Sequence, residues 1–227
     1  MVFRAFHVFV DTSVLVKIIY AITLYHKVSV SKRPPRILGM LENGILTIYT
    51  DNAVINELKD TALPNLLSNV NRTEHGWPNI KPDIMILYCI DELNYLVSRN
   101  YIRIAEEDRS LEKQRRALGN RPTRRVCWRD GLIDDILSRV PPEMVPFEDI
   151  SIISSLLYAY DLLATVPRRA LSGITKGKLV FITDDNKLKQ FVETYLTCNN
   201  CPCREKIITL SYKDFKDKLL KSFLGAQ

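Results

Sequence analysis

The stretch HVFVDTSVLVKIIYAITLYHK, residues 7–27, joins a short apolar run to a longer one through a single aspartate, Asp11. The first run is short and continuously apolar, which is typical of a strand buried on both faces of a parallel sheet. The second run has helical length and apolar residues at helical spacing. The stretch therefore predicts a strand that ends at Asp11 and a buried helix that follows.

The same order of strand, acid and helix recurs along the chain. ILTIYT, residues 45–50, precedes a predicted helix whose cap is Asp51 or Asn52, and KLVFIT, residues 178–183, precedes two further aspartates and another helix. Strands that alternate with helices indicate an α/β fold, with a mainly parallel central sheet flanked by helices in a three-layer, Rossmann-like arrangement. We predict one domain over residues 1–227, with residues 65–140 as a helical insertion or elaboration within it.

The composition, 46% hydrophobic and 26% charged, is that of an ordinary globular protein with a sizeable core. The apolar N-terminal region raises the question of a membrane span, but its longest uninterrupted piece, residues 18–25, is much shorter than the roughly 20 residues that a span needs. It also lacks the cleavage pattern of a signal peptide. The sequence therefore predicts a cytoplasmic protein that does not engage a membrane.

The formal charge of +6 is concentrated in one arginine-rich segment, residues 113–129. Guanidinium groups match phosphate oxygens in a bidentate geometry, so an excess of arginine over lysine favours a nucleic-acid partner over a merely solvated surface. The predicted nucleic-acid-binding residues are Arg115, Arg116, Arg121, Arg124, Arg125 and Arg129.

Several carboxylates are predicted to lie near one edge of the sheet. Asp11 ends the first strand, and Asp184 and Asp185 follow KLVFIT, so these acids meet if the two strands are neighbours. Glu57 lies among apolar residues of NAVINEL, where a solvated glutamate is unexpected, and Asp149 opens a long apolar helix. Each aspartate alone is explained as a helix cap or turn residue. Together the acids would repel one another, and a divalent cation such as Mg²⁺ or Mn²⁺ would relieve that repulsion.

Four segments, in this order, resemble the PIN-domain nucleases: HVFVDTSVL, AVINELK, EDISIISSLLYA and VFITDDNKL. That family has an aspartate followed by Thr-Ser, a glutamate in the next helix, an aspartate that opens a later helix, and a Thr-x-Asp turn after a strand. The residues that match its acids are Asp11, Glu57, Asp149 and Asp185. The residues that match its supporting hydroxyls are Thr12, Ser13 and Thr183.

The resemblance implies a metal-dependent endoribonuclease that hydrolyses single-stranded or structured RNA. Its four matched acids would bind Mg²⁺ or Mn²⁺. Asp184 precedes the matched Asp185 and is predicted to be an additional ligand or the cap of the next helix. The spacing between Glu57 and Asp149 is larger than in the compact toxin-type members of the family.

Other functions stay open at this point. The chain can be an inactive PIN-like scaffold that binds RNA within a larger complex, or the toxin of a toxin–antitoxin pair, with an antitoxin or a second copy as partner. An aspartyl-phosphate phosphatase with Asp11 as nucleophile is disfavoured, because Ser13 stands where a D-x-D motif has its second acid. The cysteines Cys198, Cys201 and Cys203 suggest zinc or a disulfide, although free thiols are the simpler interpretation because a fourth zinc ligand is not nearby.

Overall fold

The computed structural model describes residues 6–28, 33–105, 137–138, 140–144, 149–165, 179–196 and 207–219. Within these ranges five strands form one sheet in which all neighbours are parallel, in the order β3-β2-β1-β4-β5. The strands are β1 (Phe6–Val10), β2 (Leu46–Thr50), β3 (Ile102–Ile104), β4 (Val180–Ile182) and β5 (Ile208–Leu210). The predicted α/β fold with a parallel central sheet is confirmed.

The helices cover the sheet and carry most of the remaining described chain. They are α1 (Thr12–Val28), α2 (Arg36–Glu42), α3 (Asn52–Glu57), α4 (Leu63–Asn69), α5 (Pro82–Ser98), α6 (Ile150–Thr165), α7 (Asn186–Tyr195) and α8 (Tyr212–Asp214). Helix α5 packs against both α1 and α4. Helix α6 precedes β4 and packs on β2 and α3, whereas α7 follows β4 and packs on β5. No helix in the described ranges is long and apolar enough to cross a membrane.

The central strands β1 and β4 are apolar, apart from His7, because both of their faces are covered. Val8, Phe9 and Val10 of β1 have no exposed surface, and neither do Phe181 and Ile182 of β4. Burying one such side chain is worth about 1.5–3 kcal/mol, so the runs HVFV and LVFI favour the middle of the sheet over an edge. The most apolar segments of the sequence thereby place the residues that follow them at the centre of the fold.

A π-helical turn, Leu58–Ala62, separates α3 from α4 and begins directly after Glu57. Its wider ring is closed by the N–H of Leu63, which donates to the carbonyl of Leu58. Pro64 explains the wide turn. Proline has no N–H to donate to the carbonyl of residue 60, and in a regular α-helix its ring would clash with that carbonyl. Such turns often lie beside functional sites.

The prediction of a helical insertion over residues 65–140 is wrong at residues 102–104, which form the edge strand β3 and pair in parallel with β2. This strand is only three residues long and has Arg103 at its centre, so it shows no apolar alternation. Trp77, within the same segment, is buried, and its indole N–H donates to the Tyr20 hydroxyl at 2.9 Å. Trp77 is therefore a residue of the hydrophobic core.

Candidate active site

The chain reverses its direction across the sheet between β1 and β4. From β1 it moves outward through β2 to β3, and it then returns to β4 beside β1 and continues to β5. Val10 is paired with Ile182, so the residues that follow these two strands share one edge of the sheet. In parallel α/β sheets ligands bind in the crevice outside the carboxyl ends of the strands at such a reversal. The first strand and the strand in KLVFIT are therefore neighbours, which is the condition under which the acids that follow them meet.

Two aspartates and a threonine form a row across this edge. Phe9 is paired with Tyr49, and the Thr50 hydroxyl donates to the carbonyl of Val10 at 3.2 Å. Asp11 and Asp51 follow these paired residues, so their backbones are separated by about 4.8 Å, the spacing of neighbouring strands. On the other side of Asp11 lies Thr183, the first residue after β4.

Asp11 is buried, with only 3% of its surface exposed, and its carboxylate accepts three hydrogen bonds. Oδ1 accepts from the Ser13 hydroxyl at 2.8 Å and from the Val14 N–H at 3.0 Å. Oδ2 accepts from the Thr183 hydroxyl, which reaches it from the neighbouring strand. The hydrogen bond from the Val14 N–H also caps helix α1. Asp11 is therefore both the helix cap that the sequence suggests and a residue at the reversal between β1 and β4.

Burial raises the pKa of Asp11 above its ordinary value, and the negative charge of Asp184 raises it further. The hydrogen bonds from Thr183, Ser13 and Val14 lower the pKa but do not outweigh burial. Among the described residues no lysine, arginine or histidine forms an ion pair with Asp11. The site therefore maintains a desolvated carboxylate with neutral donors, an environment that a bound cation would stabilise.

Glu57, at the C-terminal end of α3, is joined to the same edge through a neighbouring hydroxyl. The hydroxyl of Thr12, the residue after Asp11, donates to Oε2 of Glu57. The glutamate side chain is exposed, so the expectation of an unsolvated glutamate is wrong. Helix α3 buries Val54 and Ile55 instead, and Glu57 lies outside that apolar face although its neighbours in sequence are apolar.

The paired aspartates after β4 have different environments. Asp185 caps α7, because its Oδ1 accepts from the Leu188 N–H at 2.9 Å, and its own N–H donates to the Thr183 hydroxyl at 2.9 Å. Asp184 is predicted to be either an additional ligand or the cap of this helix, and the second alternative is wrong because Asp185 is the cap and α7 begins at Asn186. Asp185 is exposed to solvent.

Asp184 is held by a cation and by backbone groups. Its Oδ2 forms an ion pair with Lys17 Nζ at 2.5 Å, and its Oδ1 accepts from the Tyr212 N–H at 2.8 Å. Burial would raise the pKa of Asp184, but the hydrogen bonds from Lys17 and Tyr212 and the Lys17 charge together lower it. Its N–H donates to the Ser13 hydroxyl at 3.2 Å, which links it to Asp11.

All three hydroxyls that match the PIN pattern thus contact acids in this region: Thr12 contacts Glu57, whereas Ser13 and Thr183 contact Asp11. Asp149 is half-buried and lies directly before α6, which packs on β2 and α3. The six arginines of the predicted nucleic-acid-binding segment and the three clustered cysteines lie outside the described residues.

Asp51 is a site residue that the sequence interpretation treated only as a helix cap. It does cap α3, since its carboxylate accepts from the Ala53 N–H, but its Oδ2 also accepts from the hydroxyl of Ser155 in α6 at 2.5 Å. Asp51 is 2% exposed and Ser155 is 3% exposed. The available signal was the position of Asp51 directly after a strand, which is the same position that identified Asp11.

In the described ranges no three side chains of the types His, Cys, Asp and Glu are gathered tightly enough to hold a metal ion together. The donors themselves are of the right chemistry, because Mg²⁺ and Mn²⁺ prefer carboxylate oxygens. Glu57 accepts from Thr12, the residue after Asp11, and Asp185 follows Thr183, which donates to Asp11. The residues therefore fit such an ion in donor type, and hydrogen bonds link them to the same edge of the sheet.

Comparison with known proteins adds no further assignment. The chain matches no protein-family model, no curated protein and no solved structure.

Proposed function

We propose that this protein is a metal-dependent phosphodiesterase of the PIN type that hydrolyses RNA. The observation that carries the proposal is the environment of Asp11: a desolvated carboxylate at the reversal between β1 and β4, bonded by Ser13 and by Thr183 from the neighbouring strand. Glu57 reaches the same edge through Thr12, and Asp185 follows Thr183. These residues stand in the places that the PIN pattern gives to its acids and hydroxyls.

Asp11, Glu57, Asp149 and Asp185 are the proposed ligands of Mg²⁺ or Mn²⁺, with Asp184 as an additional acid. When bound, such an ion lowers the pKa of a coordinated water and stabilises the leaving oxygen of a phosphodiester. Asp11 has little freedom, because its two oxygens accept three hydrogen bonds. Glu57 and Asp185 are exposed and supply the adjustable part of the site.

The proposed substrate is RNA, and the proposed place of action is the cytoplasm. The choice of RNA comes from the resemblance to PIN-domain nucleases, and the net charge of +6 supports a polyanionic partner. The arginines between residues 113 and 129 are the proposed contacts to the RNA backbone, and exchanging them for glutamine should weaken binding more at low salt than at high salt.

The test is cleavage of a mixed single-stranded and structured RNA pool by the purified chain. The wild type should cleave with Mg²⁺ or Mn²⁺ and stop with EDTA, whereas Asp11→Asn should not cleave under either condition. Asp91→Asn is the matched control, because it makes the same chemical change at an exposed position on α5, away from the site. Equal cleavage by the wild type and Asp11→Asn would refute the proposal.

A second candidate is an RNA-binding scaffold that does not cleave. It is favoured by one observation, namely that the acids in the described part of the chain do not already form a three-ligand group. A scaffold would bind RNA equally well with and without Asp11, and it would leave the RNA intact with every metal. Binding and cleavage measured on the same RNA pool separate the two functions.

A further inference from the structure

Asp51 uses its two carboxylate oxygens for two different purposes. One oxygen accepts from the Ala53 N–H and caps α3, which is all that a helix cap requires. The other, Oδ2, accepts from the Ser155 hydroxyl at 2.5 Å and so joins the end of β2 to α6. A serine or an asparagine would cap the helix equally well. The second oxygen is therefore the feature that needs an explanation.

The bond between Asp51 and Ser155 lies in an apolar contact. The residues of α6 around Ser155, including Ile152 and Leu156, are buried, and Ser155 itself is 3% exposed. Apolar contact is non-directional and allows a helix to slide or rotate on its neighbour. A short, buried hydrogen bond to a carboxylate is directional, and it fixes the position of α6 along and around its own axis.

The two elements that Asp51 joins are those that carry two of the proposed ligands. Helix α3 ends at Glu57, and Asp149 lies directly before α6. Asp11 directly follows β1, the strand that pairs with β2, which Asp51 follows. A shift of α6 against β2 would move Asp149 relative to Asp11, and a looser start of α3 would move Glu57.

We propose that Asp51 is a positioning residue of the metal site, which acts by tying α6 to the start of α3 through Ser155. This inference rests on the proposed metal-dependent function. Asp51 touches neither the metal nor the substrate in this scheme. Its contribution is to hold Glu57 and Asp149 at fixed places relative to Asp11, so that fewer rearrangements accompany binding of the ion.

The test is the affinity of the metal-free protein for Mn²⁺, measured by electron paramagnetic resonance. Ser155→Ala removes the tie but keeps the charge of Asp51 and its cap on α3. Loss of such a supporting contact typically weakens metal binding by about 10–100-fold. Thr209→Val is the matched control, because it removes another hydroxyl that donates to a carboxylate, that of Glu193. The control should keep wild-type affinity.

The double variant Asp51→Ser with Ser155→Ala tests whether Ser155 acts through Asp51. Serine at position 51 keeps a capping oxygen and loses the second one, so Ser155→Ala should have no further effect in that background. If Ser155→Ala does not fold, Asp51→Ser alone is compared with the wild type, and it should bind Mn²⁺ more weakly.

Three outcomes would overturn the inference. If the wild type binds Mn²⁺ and Ser155→Ala binds it equally well, the bond between Asp51 and Ser155 does not position the ligands, although the proposed metal site is supported. If Ser155→Ala and Thr209→Val weaken binding equally, the effect is a general loss of stability. If the wild type binds no Mn²⁺, the proposed function fails and the inference fails with it.

Discussion

Replacing Asp11 by asparagine should make the metal-free protein more stable at neutral pH. Burial raises the pKa of this carboxyl in spite of three hydrogen bonds, so the folded protein favours the uncharged form. Asparagine is uncharged and of nearly the same shape. Its oxygen can still accept from Ser13 and Val14, and its amide can donate to the Thr183 hydroxyl, which has two lone pairs.

The size of the effect follows from the raised pKa. Each unit by which the folded protein raises it corresponds to about 1.4 kcal/mol of stability lost when the carboxyl ionises. For a chain of this length, about 1 kcal/mol corresponds to roughly 2–4 °C in Tm. The variant should therefore melt at a higher temperature than the wild type at neutral pH, and it should also lose cleavage by more than the roughly 10–100-fold that the loss of a contact to a metal ligand costs.

The pH dependence gives the sign independently. Below the ordinary pKa of 3.8 the carboxyl is protonated in both the folded and the unfolded chain, so the wild type and Asp11→Asn should have equal stability. As the pH rises through the higher pKa of the folded state, the wild type alone loses stability. The difference in Tm should thus grow with pH and then level off.

Thermal unfolding followed by circular dichroism, in EDTA and over a pH series, measures this difference. Asp91→Asn, on the exposed face of α5, controls for the loss of one carboxylate and should leave the free energy of unfolding within about 0.5 kcal/mol of wild type, as surface changes usually do. A variant at position 11 that is less stable than the wild type at neutral pH, by the same margin as at acid pH, would refute the reasoning.

Four further predictions concern Thr183, Lys17, the pair Asp184 and Asp185, and Cys89. Thr183→Val removes the hydroxyl that donates to Asp11 and accepts from the N–H of Asp185. Because the buried Asp11 carboxylate loses a donor, the free energy of unfolding should fall by about 1–3 kcal/mol in urea titrations. An unchanged free energy of unfolding would contradict this prediction. Lys17→Met breaks the ion pair with Asp184, but since the Lys17 side chain is 45% exposed, the loss in free energy of unfolding should stay below about 1 kcal/mol. Asp184→Asn should reduce cleavage less than Asp185→Asn does. The reverse order in a cleavage assay would show that the two acids have exchanged roles. Burial raises the pKa of the Cys89 thiol to about 11; the hydrogen bond with Thr23 lowers this pKa, and the nearby charge of Glu92 raises it. Iodoacetamide should therefore modify Cys89 only when the protein unfolds. The contribution of the Cys89 thiol to stability should be full below pH 9 and should fall as the pH rises toward about 11.

The sequence was sufficient to predict those features of the fold that a single strand or helix encodes in its own residues. The apolar runs of β1 and β4 are buried on both faces, so their composition alone indicated central parallel strands, and the acids that follow them were expected at one edge. Strand β3 was missed because three residues centred on Arg103 show neither continuous apolarity nor alternation. Its place in the sheet depends on pairing with β2, which is a contact between segments far apart in sequence.

The sequence by itself determined the class of fold and the position of Asp11, since both depend on the order of short apolar runs and the residues that end them. Only the tertiary structure decided how each carboxylate is used. Lys17 is 167 residues from Asp184, and Ser155 is 104 residues from Asp51. Partners so distant in sequence are brought together by the packing of helices on the sheet, and no local pattern of residues encodes which oxygen they will contact.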